Sequence, residues 1–167
     1  MKVAFSGRGL IRSAAALALA AGLMGAVPAR AEDGAPAGCT GPASQTWINI
    51  EVNELRSGKG LVAFTLYADN RKRFLVKGGS LYVTRVQASN GTTRACLYLP
   101  GPGTYAIAVY HDENASQTFD RTGLGLPKEG FGFSNNPGTL LGLPNFSSVR
   151  LAVPKPGLST KIRMKYP

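Results

Sequence analysis

The chain is poor in what most catalytic and metal-binding proteins need. It has one histidine, His111, and two cysteines in 167 residues. A lone His with no Cys-x-x-Cys excludes zinc-ribbon and thioredoxin-type chemistry. No Gly-x-Ser-x-Gly surrounds any serine, so the strained elbow of an α/β-hydrolase is missing. Acids are scarce too, nine Asp and Glu against nineteen Lys and Arg. No Gly-rich stretch precedes a helical pattern, which excludes a phosphate cradle at a helix N-terminus. There is no internal repeat.

What is present begins with an address. Lys2, Arg8 and Arg12 precede an apolar run over residues 13–27, followed by Pro28-Ala29-Arg30-Ala31. A basic start, a short apolar middle and small residues before a cut are the pattern of a cleavable secretory signal. The run is short of the roughly 20 residues that a bilayer span needs. Residues 1–31 are therefore read as a signal peptide, with a periplasmic or secreted destination and no transmembrane segment after its removal. Four of the nineteen bases lie within it and no acid does, which leaves fifteen bases against nine acids, a formal +6. Those bases are scattered, apart from Arg71-Lys72-Arg73 and the alternating Lys161, Arg163 and Lys165. No aromatic-plus-basic nucleic-acid signature accompanies them, so no nucleic-acid partner is expected.

In an oxidising compartment, two cysteines without metal spacing read as one disulfide, Cys39–Cys96. Residues 32–45 are small, polar and Pro/Gly-rich, and read as an N-terminal tail pinned by Cys39. Residues 46–167 read as a single domain. Ile48, Ile50 and Val52 alternate with polar residues, as do Val62, Phe64 and Leu66, which marks half-buried strands. Further strands are expected over residues 81–86, 93–99 and 105–110, with Asn90-Gly91 as a hairpin turn. Residues 149–153 and 158–166 complete the set. In the fifth strand Tyr105, Ile107 and Val109 are large while Ala106 and Ala108 are small, so both faces should be covered. Seven strands and no convincing helix point to an all-β, seven-stranded antiparallel β-sandwich with Greek-key-like connections. One long ordered loop is expected between its fifth and sixth strands.

That loop holds the unusual residues. Asp112, Asn114, Ser116 and Asp120 take positions 1, 3, 5 and 9 of a hard-cation loop. Position 6 is Gln117 in place of Gly, and position 12 is Gly123 in place of Glu. Two carboxylates are few for Ca²⁺, so side-chain capping of the loop's own backbone is preferred and no cofactor is expected. His111 beside Asp112 and Glu113 is the only general-base candidate, and Ser134 the most conspicuous serine. Phe131 and Phe133, spaced by glycines, either plug the end of the sandwich or face a ligand. With Asn135 and Glu129, these residues form the candidate recognition surface.

The same residues carry a resemblance. Residues 48–67, Leu99-Pro100-Gly101, residues 105–109, His111-Asp112-Glu113-Asn114, Asp120, Gly125 and residues 127–136 resemble DUF2141, a family of uncharacterised exported bacterial proteins. The most specific strings are His-Asp-Glu-Asn and Glu-Gly-Phe-Gly-Phe-Ser-Asn. Family members usually read Asp-x-Asn-Gly-Asn-Gly where this chain has Asp112-Glu113-Asn114-Ala115-Ser116-Gln117. The resemblance implies a prealbumin-like or carboxypeptidase-regulatory-like sandwich and brings no activity with it.

The expectation is an exported binding module that uses residues 111–136 to meet a cell-envelope glycan, lipid or protein partner. A purely structural accessory domain is the first alternative. A hydrolase using His111 with Asp112 or Glu113 is the second.

Overall fold

The computed structural model describes residues 34–139 and 143–167, so the signal peptide read in residues 1–31 lies outside the described residues. Among the described residues nine strands are present: β1 (Cys39–Thr40), β2 (Thr46–Leu55), β3 (Leu61–Ala68), β4 (Tyr82–Gln87) and β5 (Gly91–Leu99) precede β6 (Gly103–Asp112), β7 (Gly130–Phe133), β8 (Leu151–Val153) and β9 (Leu158–Arg163). A single-turn helix, α1 (Phe146–Val149), precedes β8. The strands make two sheets, β1-β5-β2-β9 and β4-β3-β6-β7, with β8 also hydrogen-bonded to β6.

The all-β, two-sheet architecture is the one that the alternating pattern predicts. Its details differ in three respects. Cys39–Thr40 is a strand because the Cys39–Cys96 disulfide places it alongside β5, with Cys39 opposite Cys96. Two residues are too few to show a period. Gly130–Phe133 is also a strand, so the expected long loop is interrupted by β7. Glycine at every second position hides its alternation. The sheets are not wholly antiparallel, since β1–β5 and β2–β9 are parallel pairs. Both β1 and β9 reach their neighbours without a hairpin, and only a hairpin forces antiparallel pairing.

The core lies between the sheets. Ile48, Ile50 and Val52 of β2 face Val62, Phe64 and Leu66 of β3 and Ile107 and Val109 of β6, all of them buried. Full burial of each such side chain contributes about 1.5–3 kcal/mol. The disulfide adds its own share. It closes a loop with a sequence separation of 57, which restricts the unfolded chain by roughly 4 kcal/mol in the chain-entropy model.

β6 is the strand that matters most for the site. It pairs with β3 on one side and with β7 and β8 on the other. Its odd residues, Tyr105 to His111, point into the core, and Ala106, Ala108 and Tyr110 point to the outer face. A second apolar cluster of Tyr67, Phe74, Ala106, Phe133 and Val149 packs on that outer face.

β7 sorts its residues the same way. A Cβ on Gly130 would lie 2.4 Å from the Tyr166 ring, and one on Gly132 would lie 2.7 Å from the Arg163 carbonyl oxygen. The glycines thus admit the end of the chain against the inner side of β7. There the Phe131 N–H donates to the Lys165 carbonyl at 2.9 Å and the Lys165 N–H donates back at 2.8 Å. The two phenylalanines are left facing outward.

Candidate functional site

His111 is fully buried at the inner end of β6. Its Nε2 lies 2.8 Å from the Lys59 carbonyl, which only accepts, so Nε2 carries the proton. Nδ1, 2.7 Å from the Tyr166 hydroxyl, then accepts from it, and that hydroxyl accepts in turn from the Arg56 N–H at 3.2 Å. Both ring nitrogens are occupied in joining the 56–59 turn to the C-terminus.

The neighbouring acids have been turned to similar work. Arg56 forms a two-toothed pair with Glu113, and Ser57 Oγ donates to the same carboxylate at 2.8 Å. The guanidinium, helped by the hydroxyl and opposed by partial burial, holds the Glu113 carboxyl down at about 2. Asp112 is buried and accepts the Ser116 N–H at 2.8 Å on one oxygen and the Gln117 N–H at 2.7 Å on the other. Asn114 accepts the Ser116 N–H at 3.0 Å and donates to Asp120 at 2.9 Å. Ser116 Oγ lies 3.0 Å from the Thr118 hydroxyl, which reaches Asp120 at 3.2 Å. The oxygens that have the spacing of a cation loop therefore turn to their own backbone and to one another. Among the described residues, no three His, Cys, Asp or Glu side chains group to hold a metal ion. Ala115 and Gln117 have φ of 55° and 62°, left-handed values at the two positions where the resembled pattern has glycine.

Glu129 is buried just before β7, and its carboxylate accepts the Asp120 N–H at 3.1 Å. Burial pushes its carboxyl above the ordinary range against the pull of that bond, and the charges of Asp112, Asp120 and Glu113 add to the rise.

Ser134 is fully buried. Its hydroxyl accepts the Ile107 N–H at 3.0 Å and donates to the Val149 carbonyl at 2.5 Å. Asn135 donates to the Arg150 carbonyl at 2.8 Å. Asn136 donates to the Lys161 carbonyl at 2.9 Å and accepts the Arg163 N–H at 2.7 Å. Ser134, Asn135 and Asn136 thus tie β7 to the approach of β8 and to the open edge of β9. No hydroxyl is left for nucleophilic attack at Ser134.

Among the described residues, a groove of about 1230 Å³ opens on the outer face of the second sheet. Its floor is Thr65 and Ala108, directly paired across β3 and β6, with Phe133 next to Ala108 on β7. Residues from three further segments complete the lining: 71–77, 118–127 and 143–146. Phe74, Phe119, Phe131, Phe133 and Phe146 all line it, five of the seven phenylalanines in the chain. They contact one another edge-on or tilted, Phe74 to Phe146 at 5.4 Å and Phe119 to Phe131 at 6.4 Å between ring centres. Such pairs add about 0.5–1.5 kcal/mol each beyond buried area. Arg121 holds its guanidinium 4.9 Å from the centre of the Phe119 ring and donates to the Gly125 carbonyl at 2.9 Å.

Of the residues that sequence reading singles out, only Phe131 and Phe133 line this groove. His111, Asp112, Asn114, Glu129, Ser134 and Asn135 hold its surroundings in place. Tyr67, Phe74, Tyr110, Phe119 and Phe146 were not singled out. The signal that points to them is weak but legible: small Ala106 and Ala108 on one face of a central strand require large partners from elsewhere.

Separate comparisons with curated proteins and with solved structures found no significant match. A family model matches residues 50–161, from the middle of β2 into β9. That match spans most of the chain, so the protein belongs to DUF2141, described as an uncharacterized protein conserved in bacteria.

Proposed function

We propose that this chain is an exported cell-envelope binding module, periplasmic or secreted, whose ligand sits in the aromatic groove on the outer face of β3, β6 and β7. One observation carries the reading. Five phenylalanines from four separate segments converge on a floor of Thr65 and Ala108 and leave a cavity there. A protein that needed these rings only as core would close them over, because interiors pack to crystal-like density. Ligand sites, by contrast, are concave, mostly apolar and few per protein. Within residues 111–136, Thr118, Phe119, Arg121, Pro127, Phe131 and Phe133 contribute to the lining, and of the recognition residues expected from sequence only Phe131 and Phe133 are among them. The prealbumin-like, Greek-key description belongs to the same proposal. Its support is that the chain passes from the second sheet (β3, β4) to the first (β5) and back again (β6).

The test is binding of a neutral fluorescent naphthylamine to the purified protein, with Phe119→Ala and Ala108→Phe as variants. Both should abolish binding while the urea midpoint changes little, since Phe119 and Ala108 lie outside the inter-sheet core. If the wild type binds no apolar probe and Phe119→Ala only destabilises, the groove is a cover for the sheet and the structural-accessory reading takes its place. Catalysis by His111 has no support from the geometry, since both of its nitrogens and the Ser134 hydroxyl are already engaged.

A further inference from the structure

Resting on the groove as the ligand seat, we infer that its ligand is a monomeric single-chain amphiphile with an anionic head, of which a long-chain carboxylate is the simplest. Charge is the first argument. Arg71, Lys77 and Arg121 line the groove and no Asp or Glu does. Asp120, between Phe119 and Arg121, does not line the groove and is held by Asn114 and the Thr118 hydroxyl, while Asp69 pairs with Arg150. Three bases in a lining that has no acid favour an anion at the groove mouth, by complementarity of potential.

The second argument concerns the rest of the ligand. Leu75, Val76 and Leu143 belong to the lining yet remain 37%, 49% and 55% exposed. Exposed large apolar side chains gathered at one place mark an interaction site. They extend the aromatic floor toward solvent, as an extended hydrocarbon chain requires. A glycan would instead need buried amides or carboxylates for its hydroxyls, because each polar group that is desolvated without a partner costs free energy. Of the uncharged polar side chains in the lining (Thr65, Tyr67, Tyr110, Thr118 and Asn145), three are already engaged: Tyr110 donates to the Gln117 carbonyl, Thr118 donates to Asp120, and Asn145 caps α1 by accepting the Ser147 N–H.

The third argument separates a single molecule from a membrane surface. Segments 71–77, 118–127 and 143–146 line the seat around the sheet floor, so the apolar surface is recessed. A flat bilayer cannot reach Ala108 past them, whereas one chain can lie in the trough.

The experiment displaces the neutral naphthylamine from full-length exported protein with dodecanoate below its micelle concentration. Dodecan-1-ol, maltose oligomers and anionic phospholipid vesicles serve as matched competitors. Dodecanoate should compete at least tenfold better than dodecan-1-ol, the size of one charge-assisted contact. Arg71→Glu/Lys77→Glu/Arg121→Glu should erase that preference, so that dodecanoate competes no better than dodecan-1-ol in the same variant. Equal competition by acid and alcohol, an unchanged preference in the triple variant, or binding to vesicles without monomeric dodecanoate would each overturn the anionic-amphiphile assignment while the groove reading stands. Displacement by maltose oligomers alone overturns it in favour of a glycan. Failure of every apolar probe to bind takes down the groove reading itself.

Discussion

Replacing Ser134 by alanine removes one oxygen and leaves two buried backbone groups without partners. The hydroxyl is what satisfies the Ile107 N–H and the Val149 carbonyl, at 3.0 and 2.5 Å. Ser134 has no exposed surface through which water could take over. Each orphaned group costs about 1–3 kcal/mol, so the loss should be about 2–6 kcal/mol. Against a typical total of about 5–15 kcal/mol that is a severe change. In a domain of this size it corresponds to a fall in Tm of roughly 10 °C or more. Trp47, the one tryptophan, sits on β2 and reports unfolding by fluorescence in a urea titration. Ser148→Ala is the control, because its hydroxyl bond to the Asn145 carbonyl is at the surface and its removal should cost under about 0.5 kcal/mol. If Ser134→Ala also costs less than about 0.5 kcal/mol, Ser134 is not the clasp described above and should be re-examined as a reactive group.

Three further outcomes are expected. Ala115→Gly and Gln117→Gly should each stabilise by about 0.5–1 kcal/mol in urea unfolding, since the relief of a left-handed backbone outweighs the added freedom of the unfolded chain; a loss for both would show that these side chains make contacts that matter. Glu113 has a folded-state pKa of about 2, below its ordinary 4.5, so its stabilising pair with Arg56 is intact above 4.5 and is lost as pH falls from there toward 2. Glu113→Gln should therefore cost about 1 kcal/mol at pH 7, given how exposed Arg56 is, and almost nothing at pH 2, with thermal melts at both pH values as the check. Gly132→Ala should destabilise by more than 2 kcal/mol, because the new methyl meets the Arg163 carbonyl oxygen at 2.7 Å and backbone cannot step aside cheaply; a wild-type melting point would mean that β7 and the C-terminal segment do not touch.

The strands were legible where side chains alternate over six or more residues, as in 46–55 and 61–68, because one face is buried and the other wet. The Cys39–Cys96 bond was legible from count and compartment alone. β7 was not, since Gly-Phe-Gly-Phe spends its inward positions on residues with no side chain to show a pattern. The groove was legible only in part. Phe131 and Phe133 stand out in sequence because glycines frame them, whereas Phe74, Phe119 and Phe146 lie in three unrelated segments. Their convergence is a product of topology, and no local periodicity encodes it. The loop oxygens allow two readings. Asp112, Asn114, Ser116 and Asp120 have the spacing of a cation loop, but short oxygens at alternate positions serve equally well to fold a backbone on itself.

A strand with one set of side chains in the interior and others lining an open groove separates two kinds of heritable change. In a saturation library over residues 105–111, variants at 105, 107, 109 and 111 would be lost through reduced abundance of folded protein. Those at 108 and 110 would persist and differ in what they retain from an extract, whereas variants of Ala106, buried with Tyr67, Phe133 and Val149, would be lost with the first group. Selection could then remodel ligand choice along β6 one alternate residue at a time, with the inter-sheet packing left untouched.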